Sequence, residues 1–284
     1  MGDQPKVIVV GNKKGGVGKS TVTIHLAGTL HRYGKKVLII EQDTQGTVAD
    51  ALKMRMKYVG DPSFGYHFQT SKLIREDVLR IGAGYDFVIV DTPPGTAKDG
   101  SEESDSAHQT PGAAKAAIRP ETLYSFTAAD LIVIVTKLDR YDLQSVWNYM
   151  NICAGHLAHL KKAGVSPDRK AVVVPNNLET GWSYKQERRV IERQTEKCDA
   201  GRGIMCMAST PILQYRPYSK LQWAGKTAAD LKNDRARYLI EKTFFEDVLS
   251  KLGVEDPRSE ADKKLANKYR DQSILKIYGE VTNE

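Results

Sequence analysis

The 284-residue chain has few cysteines and no long apolar run, and each shortage excludes a class of protein. Its three cysteines, Cys153, Cys198 and Cys206, form no C-x-x-C pair, so we expect neither a disulfide framework nor a cysteine metal site. No stretch approaches the roughly 18 uncharged apolar residues of a membrane span. The N-terminal residues lack the apolar core of a signal peptide. These shortages together predict a cytoplasmic protein with reduced thiols.

Composition and charge further limit the class of protein and its partners. Hydrophobic residues make up 40% and charged residues 27% of the chain, which is typical of a globular protein with one sizeable core. The net charge is +7, and such an excess favours polyanionic partners without proving one.

Short runs rich in valine and isoleucine alternate with helical patterns. This alternation is typical of βαβ units, and strands that are apolar on both faces indicate a parallel sheet covered by helices on both sides. We therefore expect an α/β fold with a mostly parallel sheet. The predicted strands are Lys6–Val10, Lys36–Ile40, Phe87–Val90, Leu131–Val135 and Lys170–Val174, with a further short one near Ile204–Met207.

The predicted helices and segments complete this organisation. Residues 1–254 are expected to form a single domain, in which 98–120, rich in Ser, Asp, Glu, Ala and Pro, is a flexible surface insertion. Residues 255–284 are expected to form a charged helical tail. The predicted helices are Lys19–Tyr33, Gln144–Lys162, Tyr184–Lys197, Ala228–Leu252 and Ser259–Tyr278.

A glycine-rich loop with two lysines follows the first predicted strand. The loop reads Lys13-Lys14-Gly15-Gly16-Val17-Gly18-Lys19-Ser20-Thr21. Glycines let successive N–H groups approach a polyphosphate, Lys19 can reach its β- and γ-phosphates, and the Ser20 hydroxyl can bind Mg²⁺. The general G-x-x-x-x-G-K-[ST] pattern fails, because Lys13 stands where its first glycine belongs.

Two carboxylates follow later predicted strands. Asp43 comes after the second strand, and Asp91 ends the apolar run Phe87–Val90 before Thr92-Pro93-Pro94-Gly95. Ligands of parallel α/β folds bind at the carboxyl ends of the strands. A carboxylate at the end of such a buried strand can reach a magnesium ion beside the phosphates.

In this order, the three motifs closely resemble those of the ParA/MinD family of ATPases, with its K-G-G-x-G-K-[ST] loop. The chain departs from the family's D-x-D-P-Q pattern, since Glu41 replaces the first aspartate and Thr44 the proline. The resemblance implies a P-loop NTPase-like fold, ATP and Mg²⁺ as cofactors, and hydrolysis of ATP. It is closest to small ParA-type partition ATPases without an N-terminal helix-turn-helix domain, and we expect no such segment before the loop.

The resemblance also implies roles for single residues. Lys14 reaches the phosphates of the partner across an ATP-dependent homodimer, and Asp43 positions or activates the attacking water. Asn176 or Asn177 contacts the adenine, and Pro211 forms a wall of its pocket. The implied sites are as follows: catalytic Lys14, Lys19 and Asp43; nucleotide-binding Lys14, Gly15, Gly16, Val17, Gly18, Lys19, Ser20, Thr21, Asn176 and Pro211; and metal-binding Ser20, Asp43 and Asp91.

Basic clusters are the candidates for contact with DNA. On the predicted helix Tyr184–Lys197, four cations recur at three- and four-residue spacing, which gives a stripe able to bind phosphates. A solvated helix face is an equally good interpretation. Such contacts would be independent of DNA sequence and sensitive to salt. The candidates are Lys185, Arg188, Arg189, Arg193, Arg235 and Arg237.

The resemblance leaves three functions open. A ParA-type ATPase would be nucleoid-associated, bind DNA as an ATP dimer and be released by an adaptor protein on its cargo that stimulates hydrolysis. A MinD-like ATPase would cycle on membranes, although Ser259–Tyr278 is polar and acidic for a lipid anchor. A P-loop enzyme with a small-molecule substrate is the third.

Overall fold

Parallel strands form one sheet at the centre of the fold. Every strand pairing in the described part of the chain is parallel. The computed structural model describes residues 4–61, 63–95, 120–164, 168–180, 183–215, 218, 221 and 223–278. The strands are β1 (Lys6–Gly11), β2 (Val37–Glu41), β3 (Gly65–Phe68), β4 (Phe87–Asp91), β5 (Leu131–Thr136), β6 (Lys170–Leu178), β7 (Met205–Met207) and β8 (Ile212–Leu213).

The strand order across the sheet is β3-β2-β4-β1-β5-β6-β7, and β8 pairs with the end of β6. Because the strands are parallel, their carboxyl ends meet at one edge of the sheet, here called the carboxyl edge, and their amino ends meet at the opposite, amino edge. β1 lies in the middle, between β4 and β5. The loops that follow β1, β2 and β4 are therefore neighbours at the carboxyl edge.

Helices cover both faces of this sheet. They are α1 (Lys19–Arg32), α2 (Thr47–Val59), α3 (Arg75–Ile81), α4 (Pro120–Ala128), α5 (Arg140–Lys162), α6 (Lys185–Asp199), α7 (Arg235–Lys242) and α8 (Glu260–Tyr278).

Alternation along each strand divides the apolar interior in two. Ile8 and Val10 of β1 face the core that contains Leu26 of α1, whereas Val7 and Val9 face the core formed with α3 to α6 and the end of α8. Side chains of successive strand residues point to opposite faces, so a strand buried on both sides must be apolar at every position. The expected α/β fold with a mostly parallel sheet and helices on both faces is confirmed.

The predicted strands lie within a few residues of those observed, but one predicted helix is wrong. Residues 228–252 are not a single helix. They comprise a 3-10 turn at Ala228–Asp230, α7, a π-helical stretch at Thr243–Val248 and a 3-10 turn at Leu249–Leu252. A new helix, α7, begins after Asp234, because the Asp234 carboxylate caps it by accepting a hydrogen bond from the Ala236 N–H.

Several short elements were not predicted, namely α2, α3, α4, the edge strand β3 and the short strand β8. The predicted insertion 98–120 lies outside the described residues except for Pro120, where α4 begins. The predicted tail contains α8, which packs against α7 and α6. A domain boundary at residue 254 stays a prediction.

In the portion of the chain that the structure describes, no helix combines the length and apolar character needed to cross a bilayer.

Candidate nucleotide-binding site

The glycine-rich loop lies at the carboxyl edge, between the end of β1 and the start of α1. Gly16 and Gly18 have φ angles of 73° and 95°, a left-handed backbone that glycine adopts readily. At Gly18, a Cβ would also collide with the amide nitrogen of Asn176. The loop therefore requires glycine there, and its N–H groups together with the start of α1 suit a phosphate.

The two lysines that flank the glycines have different surroundings. Lys19 is only 6% exposed, and its Nζ donates a hydrogen bond of 3.2 Å to the carbonyl of Lys14. Burial lowers the pKa of the Lys19 ammonium, against the attraction of Asp91 and Asp43. The Lys14 side chain is half-buried and precedes the exposed Gly15. Lys19 is thus held within its own loop, whereas Lys14 lies at the more open start of the loop.

Asn12, which sequence reasoning missed, holds the start of the loop. Its Nδ2 donates a hydrogen bond of 2.7 Å to the carbonyl of Val135 in β5, and its Oδ1 accepts one of 3.2 Å from the Lys14 N–H. Asn12 is 1% exposed. An amide in the residue directly after a buried strand was the available signal, since a buried amide needs partners.

Asp91 ends β4 beside the glycine-rich loop. Its carboxylate accepts hydrogen bonds from the Ser20 hydroxyl at 2.7 Å and from the Thr23 hydroxyl at 3.2 Å. Full burial raises the pKa of Asp91 to about 7, against the hydrogen bond from Ser20 and the charge of Lys19. A carboxylate buried to this degree has a high affinity for a cation that would neutralise it.

The oxygen atoms of Ser20 and Asp91 fit a magnesium ion. Mg²⁺ prefers hard oxygen ligands and takes only one or two from protein side chains, with water and phosphates completing its shell. A serine hydroxyl that contacts a buried carboxylate, next to a phosphate site, has that chemistry.

Two carboxylates lie at the end of β2. Glu41 is the last residue of the strand, and Asp43 lies in the loop that follows. Both oxygens of the fully buried Glu41 carboxylate cap α2, accepting hydrogen bonds from the Val48 and Ala49 N–H groups, and Tyr66 donates a third at 2.8 Å. Glu41 therefore anchors the start of α2. Asp43 is half-buried and accepts a hydrogen bond from the Gln45 N–H. Its catalytic and metal-binding roles stay predictions.

The loop after Asp91 contacts the phosphate loop through its backbone. The Thr92 hydroxyl donates to the carbonyl of Val10, and the Gly95 N–H donates to the carbonyl of Lys13 at 2.6 Å. A Cβ at Gly95 would collide with the backbone of Lys13. The two loops are therefore in direct contact.

A cavity of about 580 Å³ opens beside the glycine-rich loop, and its size suits a nucleotide. Part of its lining is apolar and aromatic, as expected for a surface that contacts a base, and this apolar wall comes from β8, the segment that follows and α7. The residues of this wall are Ile212, Leu213, Tyr215, Tyr218 and Ile240, and the lining also includes Gly16, Val17, Gly18 and Thr21 with Asn176 and Asn177.

Of the two residues expected at the adenine, Asn176 lines the cavity and Pro211 is not among its lining residues. Asn176 lines the cavity, and its Nδ2 donates a hydrogen bond of 2.7 Å to the carbonyl of Val17, so part of its hydrogen-bonding capacity serves the loop itself. Pro211 is buried, and the cavity wall at this point consists of Ile212 and Leu213 instead. A role for Pro211 as a wall of the adenine pocket stays a prediction.

The cations predicted on α6 divide into two groups. Arg189 and Arg193 are exposed one turn apart, and Lys185 is half-buried one turn before Arg189. Arg188 instead stacks over the Tyr278 ring at 4.3 Å and forms an ion pair of 2.6 Å with Glu192.

The two arginines predicted on α7 are directed into the protein. Arg237 is 3% exposed, faces the Glu241 and Asp262 carboxylates and stacks over its neighbour's aromatic ring. This burial disfavours contact with DNA phosphates, and a role for Arg237 in DNA binding stays an untested prediction. Arg235 is half-buried and donates a hydrogen bond of 2.6 Å to the Ser273 hydroxyl of α8.

Comparison with known proteins agrees with this site. Residues 8–228, most of the chain, match the family described as the CobQ/CobB/MinD/ParA nucleotide binding domain. Among curated relatives, the chain is 29% identical over 188 residues to the chromosome-partitioning ATPase Soj of Thermus thermophilus, covering 56% of this chain and 64% of Soj. The chain thus matches less than two thirds of that relative's length.

Two solved structures share the fold. The Cyanothece McdA–ATP complex superposes with a TM-score of 0.57 at 17% identity, covering 91% of this chain and 100% of McdA. Cobyrinic acid a,c-diamide synthase from Mycobacterium smegmatis, with a bound ATP analogue and magnesium, gives a TM-score of 0.56 at 16% identity, covering 90% and 99%. At such identities the likeness shows the fold alone.

Proposed function

Since the chain belongs to the CobQ/CobB/MinD/ParA nucleotide-binding domain family, we propose that it is a ParA-type ATPase that positions a cargo on DNA. In this scheme, ATP joins two chains into a dimer, the dimer binds DNA without sequence preference, and an adaptor protein on the cargo stimulates hydrolysis. The observation that carries the proposal is the loop from Lys14 to Ser20, placed against Asp91 at the carboxyl edge. The cargo would be a plasmid, a chromosome or a protein assembly.

Binding of ATP follows from the loop and the cavity. The loop N–H groups and Lys19 hold the phosphates, and the base lies against the apolar wall that contains Ile212 and Leu213. Ser20 and Asp91 would hold Mg²⁺, which when bound would supply positive charge to the phosphates. Asp43, in the loop after β2, orients the attacking water.

The position of Lys14 supports the proposal that the active form is a dimer. The loop of the same chain already supplies Lys19 and its backbone N–H groups to the phosphates. A second cation is most useful when it arrives from the partner and neutralises charge that develops in the transition state. Lys14 begins the loop at its more open side, where a partner chain that docks against the carboxyl edge would meet it.

The contact between Gly95 and Lys13 supports coupling between hydrolysis and the dimer. The loop after Asp91 hydrogen-bonds the residue that immediately precedes Lys14. Loss of the γ-phosphate would shift this loop and with it the lysine that reaches the partner. Hydrolysis would thereby release the dimer from DNA.

Binding of DNA is assigned to the exposed cations of α6. Arg189 and Arg193 lie on one helical face with Lys185, and phosphates are the partners that such a stripe fits. The net charge of +7 adds long-range attraction. A cytoplasmic, nucleoid-associated protein follows from this assignment.

Two alternatives from the same family have separate tests. A MinD-like protein needs a free amphipathic helix, whereas α8 buries Ala266, Ile277 and Tyr278 in the protein body, so this alternative is less favoured. An enzyme with a small-molecule substrate would hydrolyse ATP independently of DNA. Pelleting with anionic liposomes tests the first, and ATPase rates with and without DNA test the second.

The test of the proposal is fluorescence anisotropy of a labelled duplex at low salt with ATP, ADP or no nucleotide. We expect binding with ATP only, and about tenfold weaker binding for the Arg189→Gln/Arg193→Gln double variant, since each lost phosphate contact weakens binding and lowers its salt dependence. The matched control is Arg270→Gln, which removes a cation from α8. ATP-dependent DNA binding that is absent at low salt, or unchanged in the double variant, would contradict the assignment.

A further inference from the structure

We propose that a cleft at the amino edge of the sheet binds a small phosphate-bearing anion. This basic cleft has a volume of about 730 Å³, which lies in the range of ligand pockets, about 300–1,000 Å³. It is separate from the nucleotide site. Its cationic residues are Lys6, Arg75, Arg169, Lys170 and Lys251.

The position of the basic cleft follows from the parallel sheet. Lys6 is the first residue of β1 and Lys170 the first of β6, so both lie at the amino edge. The glycine-rich loop lies at the opposite end of the same strands. Two chains that meet through their glycine-rich loops would therefore leave the basic cleft open to solvent.

Two guanidinium groups converge at the end of α4. Arg75 donates a hydrogen bond of 2.7 Å to the carbonyl of Ala128, and Arg169 donates one of 2.6 Å to the carbonyl of Thr127. Capping by cations is favourable, because the last carbonyls of a helix carry partial negative charge. This capping uses one guanidinium nitrogen of each arginine, and it leaves two positive charges close together.

The carboxylate at this point, Asp130, forms an ion pair with only one of the two arginines among the described residues. Asp130 pairs with Arg75 through Oδ1 at 2.9 Å, while its Oδ2 accepts a hydrogen bond of 2.8 Å from the Val7 N–H. Both of its oxygens are therefore already engaged. Within the described ranges, Arg169 is left with a helix carbonyl and no carboxylate in an ion pair.

Arg169 is the buried cation that an anion would complete. It is 5% exposed, and its Nε has no hydrogen-bond partner among the described residues. Burial and the charge of Arg75 lower the pKa of Arg169, against the attraction of Asp130. A buried charge that lacks an ion pair is costly, and an anion in the basic cleft would lower that cost.

The arrangement favours a compact anion over a duplex. Arg169 lies inside a concave cleft, out of reach of phosphates on a convex helix surface, and the exposed Asp168 carboxylate at its wall would repel an extended polyanion. Arginine with nearby lysines suits the several oxygens of one phosphate group. Inorganic phosphate and phosphorylated small molecules share this chemistry.

The test is isothermal titration at low salt, with the glycine-rich loop first saturated by Mg²⁺ and a non-hydrolysable ATP analogue. We expect pyrophosphate to bind once per chain and Arg169→Gln to weaken that binding at least about tenfold, the usual effect of losing a charged hydrogen bond. Lys170→Gln and Lys251→Gln, at the half-buried wall, should each weaken it a few-fold, and they keep the test valid if Arg169→Gln fails to fold. Inorganic phosphate and a nucleoside monophosphate then distinguish a free phosphate from a phosphorylated organic ligand.

The matched control is Lys268→Gln, an exposed cation of α8 that does not line the basic cleft. It should bind pyrophosphate like the wild type. The proposal would be overturned if the wild type did not bind pyrophosphate, or if the three cleft variants bound it as tightly as the wild type. A loss of duplex DNA binding in these variants with pyrophosphate binding unchanged would also overturn it. None of these outcomes depends on whether ATP drives binding to DNA.

Discussion

Asn176 at the end of the sixth strand donates a hydrogen bond of 2.7 Å from its side-chain nitrogen to the carbonyl of Val17 in the glycine-rich loop. The bond joins residues 159 positions apart in the chain. It passes close to Gly18, where any side chain would collide with the Asn176 amide. The shape of the phosphate site therefore depends on a strand from the second half of the domain.

Asn176→Asp should weaken ATP binding. The change replaces the donor with a carboxylate that repels the Val17 carbonyl, and losing a buried hydrogen bond costs about 1–3 kcal/mol. We expect about a tenfold or greater rise in the dissociation constant, measured with a fluorescent ATP analogue. Asn233→Gly is the control, because exposed Asn233 does not line the cavity and has a φ angle of 49° that glycine adopts without strain. Equal affinity of Asn176→Asp and wild type would show that the bond does not shape the loop.

Arg55→Met should lower the free energy of unfolding by about 3 kcal/mol, the usual result of breaking a buried ion pair from one side. Arg55 is buried and forms a forked pair with Asp230 at 2.8 and 3.1 Å, and it also donates to the carbonyl of Gly225. Urea unfolding gives the comparison, with the exposed pair variant Arg80→Met as control. A loss no larger than that of Arg80→Met would contradict this role.

The imidazole of His25 should make stability dependent on pH. Burial lowers the pKa of His25 to about 4, and its Nδ1 accepts a hydrogen bond from the Ala228 N–H. The unfolded chain binds a proton near pH 6.5 and the folded chain only near pH 4. The free energy of unfolding therefore falls as pH drops through this interval, in total by about 3 kcal/mol.

His25→Asn tests this dependence, because its Oδ1 can accept the same hydrogen bond without titrating. Urea unfolding at several values between pH 4.5 and 7 should show a flatter profile for the variant than for the wild type. At pH 7 the variant should be less stable than the wild type, since it loses the ring contact with Tyr218. Parallel profiles would mean that His25 keeps its ordinary pKa.

Much of the fold could be predicted because its causes are local. The β1 run is buried on both faces, so every position is apolar and the pattern reads directly as a central parallel strand. The left-handed Gly16 and Gly18 are likewise visible as glycines in a lysine-bearing turn. Strand β3 shows the limit, since its four residues alternate in burial and include a polar histidine.

Residues with distant partners could not be assigned from the sequence. Glu41 resembles a catalytic carboxylate by position, but its oxygens cap α2. Arg237 resembles a solvated cation, yet packing of α7 against α8 places it beside Asp262. Asn12 and Arg55 carry no motif, and their importance comes from bonds to Val135 and Asp230 that only the fold creates.

The central claim is that Lys14 acts on the nucleotide of a second chain. The most direct measurement is the mass in solution, by light scattering with Mg²⁺ and ATP, of the wild type and of Lys13→Ala, Lys14→Ala and Lys19→Ala. We expect the wild type and Lys13→Ala to dimerise with ATP and Lys19→Ala to fail because it loses the phosphates. Lys14→Ala should stay monomeric while still binding ATP. A Lys14→Ala protein that dimerises and hydrolyses ATP like the wild type would contradict the account.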